Sequence, residues 1–231
     1  ARATGDVETA LAAGKTAGLL TVEGASFLED DGAAETRLDA LAEAGVRMVT
    51  LTWNGPNALG SGNDAADGLT AFGRVAVREL ERRRIAVDVS HLNDAGFKDV
   101  CAVADRPFAA SHSNARAICG HPRNLADWQL RELADCGGIA GLNFCTQFLT
   151  DRLADPTRDD VLRHVDHVLE TAGEDVLALG SDYDGCDVPG WLDPCDRVGD
   201  LHALLAREFG RTVADKAFFG NAHAFFARLE N

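Results

Sequence analysis

Short apolar runs alternate with longer amphipathic stretches along almost the whole chain, and this alternation constrains the fold more than any other feature. The runs are AGLLTVEG (17–24), VRMVTLTWN (46–54), IAVDVSH (85–91), PFAASH (107–112), GIAGLNF (138–144) and VLALGSD (176–182). They are rich in β-branched or small residues and mostly bounded by Gly, Pro or polar positions, the pattern of strands buried on both faces. The intervening stretches carry helix signals. AAETRLDALAEAG sets Leu38 and Leu41 at i, i+3 with Gly45 as the C-cap. GLTAFGRVAVRELERRR keeps Phe72, Val75 and Leu80 near one face, with arginines at the end where the helix dipole favours cations. Asn93 is placed to N-cap NDAGFKDVCAVAD, and LADWQLRELADCGG, TRDDVLRHVDHVLETAG and FFGNAHAFFARLE complete the set.

Repeated strand then helix reads as a parallel sheet covered by helices. Six such units suit a doubly wound sheet or most of a (β/α)8 barrel. No G-x-G-x-x-G follows the first run, which weighs against a dinucleotide fold. The expected class is therefore α/β, a (β/α)8 TIM-like barrel with about six of its eight units present. The chain opens without a methionine, as if within a domain. The expectation is one domain over 1–231, incomplete at its N-terminus.

The barrel is favoured by what closes each run: Glu23, Trp53-Asn54, His91, His112, Asn143-Phe144 and Asp182. The C-terminal ends of parallel strands converge on one mouth in a barrel, so these groups would meet there. Carboxylates and imidazoles from four strands make a metal-site inventory, imidazole suiting Zn²⁺ and a carboxylate being able to bridge two ions. Each residue alone has an ordinary reading. A histidine after a strand is commonly a cap, Glu23 beside Gly24 could begin a loop, and Asp182 in GSDYDG could be an Asx-turn residue competing with Asp184. Coincidence at four strand ends favours the metal. His164 and His167, three apart, read as a solvated helix face, and His202 and His223 as structural. Trp128 and Trp191 read as packing residues, and His121 as orienting the Pro122-Arg123 loop.

Charge and cysteine narrow the partners. With 37 acidic against 22 basic residues the net charge is −15, and only three of the basic residues are lysine (Lys15, Lys98, Lys216). Such a surface disfavours nucleic acid and anionic membrane, since phosphate needs a positive patch. An Asp-rich, Lys-poor surface suits high salt, which screens its self-repulsion, so a halophilic source is expected. No apolar run reaches the 18 or more residues of a membrane span. Six cysteines (101, 119, 136, 145, 186, 195) form no C-x-x-C pair and suit free thiols of a cytoplasmic protein, although a removed signal peptide would escape this reading.

The motifs VEG (22–24), LTWN (51–54), GLTAFG (68–73), DVSHLND (88–94), ASHSNARAICGHPRN (110–124) and GSDYDG (180–185) together resemble the membrane (renal-type) dipeptidases, zinc peptidases of the amidohydrolase-like barrel group. The likeness runs in order from about residue 8 to the last helix. It implies that Glu23 bridges two zinc ions and that His91 and His112 complete the second ion's ligands. Arg123 would grip the substrate's C-terminal carboxylate with its planar fork. Asp182 would handle the proton of the attacking water, and Asn143 and Phe148, at strand-end positions, would line the pocket with Trp53 and Asn54. The family's first strand carries a His-x-Asp pair that has no counterpart here, so two ions are expected only in a longer natural protein. Trp53 stands where many members have a histidine.

The resemblance implies hydrolysis of dipeptides by a metal-bridged hydroxide, with Arg123 measuring substrate length. Two alternatives remain open: a related amidohydrolase acting on N-acyl-amino acids or lactams, and a non-catalytic barrel binding amino-acid-like ligands. A Ser-His-Asp mechanism is disfavoured, because no G-x-S-x-G elbow exists. A homodimer is compatible with the sequence.

Overall fold

A computed structural model of the chain describes residues 1–230. Every apolar run contains a strand: β1 (Leu20–Val22), β2 (Val46–Thr50), β3 (Ala86–Asp88), β4 (Ala109–Ala110), β5 (Ile139–Leu142) and β6 (Leu177–Leu179). They form one six-stranded sheet in chain order, β1-β2-β3-β4-β5-β6. The pairs β1–β2, β2–β3, β3–β4 and β5–β6 are parallel. A doubly wound sheet reverses its strand order partway; this one does not, which is the winding of a barrel.

The chain divides into two compact units, one comprising Ala1–Ala109 with the segment from His223, the other Ala110–Ala222. In the first, α1 (Thr4–Ala12), α2 (Ala34–Ala44), α3 (Ala71–Arg82) and α4 (Asp94–Val103) alternate with β1 to β4. Gly45 ends α2 in the left-handed conformation, as its sequence position foretells. Thr70 caps α3 by accepting from the Gly73 amide, and Asn93 caps α4 by accepting from Gly96. The core gathers Val49, Leu51, Val77, Leu80, Val87, Phe97 and Val100, and the Phe97 and Phe108 rings meet edge to face at 5.7 Å.

The apolar face of α3 differs from the expected one. Val75 is 52% exposed, and the buried stripe is Gly73, Ala76, Val77 and Leu80. A Cβ on Gly73 would lie 1.8 Å from the Leu59 carbonyl, so this helix seats closely through Gly73, and of the expected face Leu80 is buried while Val75 is not.

The second unit holds α5 (Asp127–Cys136), the short α6 (Thr146–Leu149), α7 (Arg158–Ala172), α8 (Val198–Phe209) and α9 (Arg211–Asp215), followed by a π-helical turn, Lys216–Gly220. The last described helix is α10 (Asn221–Glu230). On α7 the buried stripe runs Val161, His164, Val165, Val168. His164 is therefore a core residue, not part of a solvated face. It accepts from the Ala115 amide at Nδ1 (3.2 Å), and its Nε2–H donates to the Leu149 carbonyl (3.1 Å). Burial pulls its pKa down to about 4, so it stays neutral. Trp191 packs as expected, its indole donating to the Pro156 carbonyl under the Arg158 guanidinium.

Candidate functional site

In the first unit, the chain leaves β1 directly into Glu23 and turns at Gly24, which has φ of 78°. Beyond β3 the backbone passes through Val89 and Ser90 to His91, which takes φ of 71°, a left-handed conformation uncommon for a residue with a side chain. Buried Asp88 holds this exit: its carboxylate accepts from the Thr50 hydroxyl (2.5 Å) and the Ser90 amide (3.0 Å). Asn63 reaches in from the loop after β2 and donates to the carbonyls of His91 (2.9 Å) and Leu92 (3.3 Å).

The His91 ring is thereby set between two oxygens. Its Nδ1 lies 2.8 Å from Asn54 Oδ1, and its Nε2 lies 3.0 Å from Glu23 Oε1. An amide oxygen only accepts, so Nδ1 carries the hydrogen, and Nε2 faces the Glu23 carboxylate. An imidazole nitrogen and a carboxylate oxygen at this distance share either a proton or a cation. Two donors each about 2 Å from one zinc ion at a tetrahedral angle lie roughly 3.3 Å apart, so the spacing and chemistry fit a divalent ion. Trp53, 62% exposed, lies beside this ring with centroids 6.0 Å apart.

In the second unit, Ser111 and His112 follow β4, and His112 is buried. Its Nδ1 lies 2.6 Å from Ser111 Oγ, the same occupation of Nδ1 by an oxygen that His91 shows. Gly141 and Gly180 flank this turn; a Cβ on either would come within 1.9 Å of the Ser111 carbonyl, so only glycine permits the approach. Asn143, fully buried at the end of β5, donates through Nδ2 to the His112 carbonyl (3.2 Å) and to Asp182 Oδ2 (3.0 Å). Asp182 has φ of 58° and is half-buried, whereas neighbouring Asp184, with φ of 67°, is exposed.

Arg123 is buried, its guanidinium carbon 5.5 Å above the Phe148 ring. Phe148 sits on α6 rather than at a strand end, because the chain turns helical immediately after Cys145. The His121 ring lies 4.6 Å from that of Phe148, tilted by 43°, and its Nδ1 accepts from the Arg123 amide. Burial, then the charge of Arg123, lowers the His121 pKa, so Nδ1 remains an acceptor.

Several supporting residues carried no signal strong enough to single them out. Asn114 ties the Asn143 backbone, accepting from its amide and donating to its carbonyl, and Asn124 donates to the carbonyls of Cys119 and Phe148. These asparagines lie in ASHSNARAICGHPRN, but nothing local distinguishes them from turn residues. The unusual mark of Asp88 is a carboxylate inside an otherwise apolar strand.

An α/β chain with a consecutive parallel sheet and acid, imidazole and amide groups at its strand ends has the makings of a metal-dependent hydrolase. Residues 1–230 match the family model described as membrane dipeptidase, peptidase family M19. The chain belongs to this family and is a metallo-dipeptidase of it. A Klebsiella pneumoniae protein of the pqqA 5′ region is 37% identical, over 87% of this chain and 77% of its own length. A metallo peptidase from Rhodobacter sphaeroides, solved with a phosphinate mimic of the dipeptide L-Ala-D-Ala, superposes with a TM-score of 0.93 at 34% identity, covering 99% of this chain and 68% of the other. An amidohydrolase from Pseudomonas aeruginosa follows at 0.88 and 26%, covering 99% and 78%.

Proposed function

We propose that this chain hydrolyses dipeptides with the help of a divalent metal, zinc being the ion its donors suit best. Glu23, His91 and His112 are the protein ligands in this reading. The 3.0 Å approach of His91 Nε2 to Glu23 Oε1 carries the assignment, which His112 joins by its place after β4. When bound, the metal lowers the pKa of water and polarises a carbonyl. Asp182 takes the proton from the water and delivers it to the leaving amine, with Asn143 holding its carboxylate in place. Arg123 pairs with the free carboxylate of the substrate. Phe148 beneath it leaves the planar guanidinium partly desolvated, which strengthens a two-pronged contact. Trp53, being open to solvent, covers the approach to His91.

The fixed position of Arg123 sets substrate length, since a third residue would carry the carboxylate away from it. A panel of an alanyl dipeptide, the corresponding tripeptide and an N-acetyl-amino acid tests this. Zinc-dependent turnover of the dipeptide alone supports the reading. Preferential turnover of the N-acetyl compound would favour the second reading, an amidohydrolase of N-acyl-amino acids or lactams, for which the likeness to the Pseudomonas amidohydrolase speaks.

Among the described residues no helix is long and apolar enough to cross a membrane. Six cysteines without a C-x-x-C pair favour a reducing, cytoplasmic setting, and the net charge of −15 favours work at high salt. A single domain and a homodimer remain part of the proposal.

A further inference from the structure

The sequence reading places Asn54 among substrate contacts, but its geometry points elsewhere. We propose that Asn54 is a positioning residue: its side-chain oxygen fixes the Nδ1–H tautomer and ring orientation of His91, so that Nε2 presents its lone pair on the side of Glu23. The inference rests on the metal reading above and adds to it the device that prepares one ligand.

Four observations within the first unit carry it. The Oδ1–Nδ1 distance of 2.8 Å is that of a well-formed hydrogen bond. The opposite ring nitrogen lies 3.0 Å from Glu23, so the bond to Asn54 decides which nitrogen meets the carboxylate. The loop bearing Asn54 is built to hold that position. Gly62 approaches so closely that a Cβ there would fall 1.9 Å from the Trp53 carbonyl and 2.5 Å from that of Asn54. Asp64 donates its amide to the Asn54 carbonyl, and Asn93 Nδ2 binds the carbonyls of Gly62, Ala65 and Asp67. Finally, His91 itself is held in a left-handed conformation with its carbonyl bound by Asn63. Such backbone strain persists only where the surroundings over-determine it. Side chain and main chain of His91 are thus fixed by two asparagines of one loop.

A neutral histidine without a partner at Nδ1 exchanges between tautomers and ring orientations, and only one presents Nε2 as a ligand. Hydrogen-bond partners of metal-bound histidines typically change metal affinity 10–100-fold when removed. Asn54→Leu keeps the shape and removes the acceptor; Asn54→Asp keeps an acceptor. The backbone bond from Asp64 is untouched by either change.

The test has two arms on the full chain. In the metal-free protein at pH 8, ¹⁵N NMR of His91 reads the tautomer directly. Competition with a chromogenic chelator reads zinc affinity. The expected result is an Nδ1–H tautomer in the wild type and in Asn54→Asp, lost in Asn54→Leu, with zinc affinity down by about 10–100-fold only in the leucine variant. An unchanged tautomer in Asn54→Leu overturns the proposal, as does unchanged affinity with a raised KM, the mark of a substrate contact. If the wild type binds no zinc, the metal reading fails, and the NMR arm alone still decides the role of Asn54. Should Asn54→Leu not fold, an Nε2–H tautomer in the wild type or in Asn54→Asp overturns the proposal by itself.

Discussion

At the scale of single residues, the site is a set of side chains whose second atoms are already spoken for. His91 and His112 each have an oxygen at Nδ1, Asp182 has Asn143 at Oδ2, and the ring of Phe148 lies under Arg123. Such contacts cut the entropy lost when a ligand is bound, because fewer rotamers remain to be frozen. Arg123 gives the sharpest kinetic expectation. A charge-assisted pair contributes about 1.5–3 kcal/mol, so Arg123→Ala should raise KM for a dipeptide roughly 10–100-fold with a much smaller change in kcat. Steady-state kinetics measure this; an unaltered KM removes Arg123 from the carboxylate site. The places of Glu23, His91, His112 and Asp182 after strands were legible because each closes a short apolar run bounded by breakers. The partnership of Asn54 with His91 was not, since it depends on a loop folding back through the close approach at Gly62.

At the scale of elements, the strands were legible for a simple reason: short β-branched runs between breakers have few alternatives. Helix faces were harder to read. On α3, Gly73 and Ala76 share the packing stripe with Val77 and Leu80, whereas hydrophobicity alone points to the larger Phe72 and Val75 beside Leu80. On α7, His164 occupies the i+3 position of a stripe starting at Val161, yet its polarity suggested solvent. Its two backbone hydrogen bonds make burial tolerable, as they satisfy both ring nitrogens. They also make the unit acid-sensitive. The folded-state pKa, about 4, lies below the ordinary 6.5, so the unfolded chain binds the proton more readily. Stability is complete above pH 6.5 and falls as pH drops toward 4, by about 3 kcal/mol from this residue. Urea midpoints at pH 7 and pH 4.5 should therefore diverge more in the wild type than in His164→Gln. Equal divergence in both would remove His164 as the cause.

At the scale of the molecule, charge and chemistry are separate matters. The net charge of −15 has no evident part in the strand-end site; its expected effect is on stability, through self-repulsion that salt screens. The melting temperature should rise between low and multimolar sodium chloride, and a fall would remove the high-salt reading while leaving the enzyme intact. What joins all scales is the assignment of Glu23, His91 and His112 to one metal. Zinc binding and dipeptide hydrolysis, measured side by side in the wild type and in His112→Ala, test it most directly. His112→Ala should keep its circular dichroism spectrum, lose zinc at one site and lose turnover with it. A variant that retains wild-type zinc content and wild-type rate would remove His112 from the metal site.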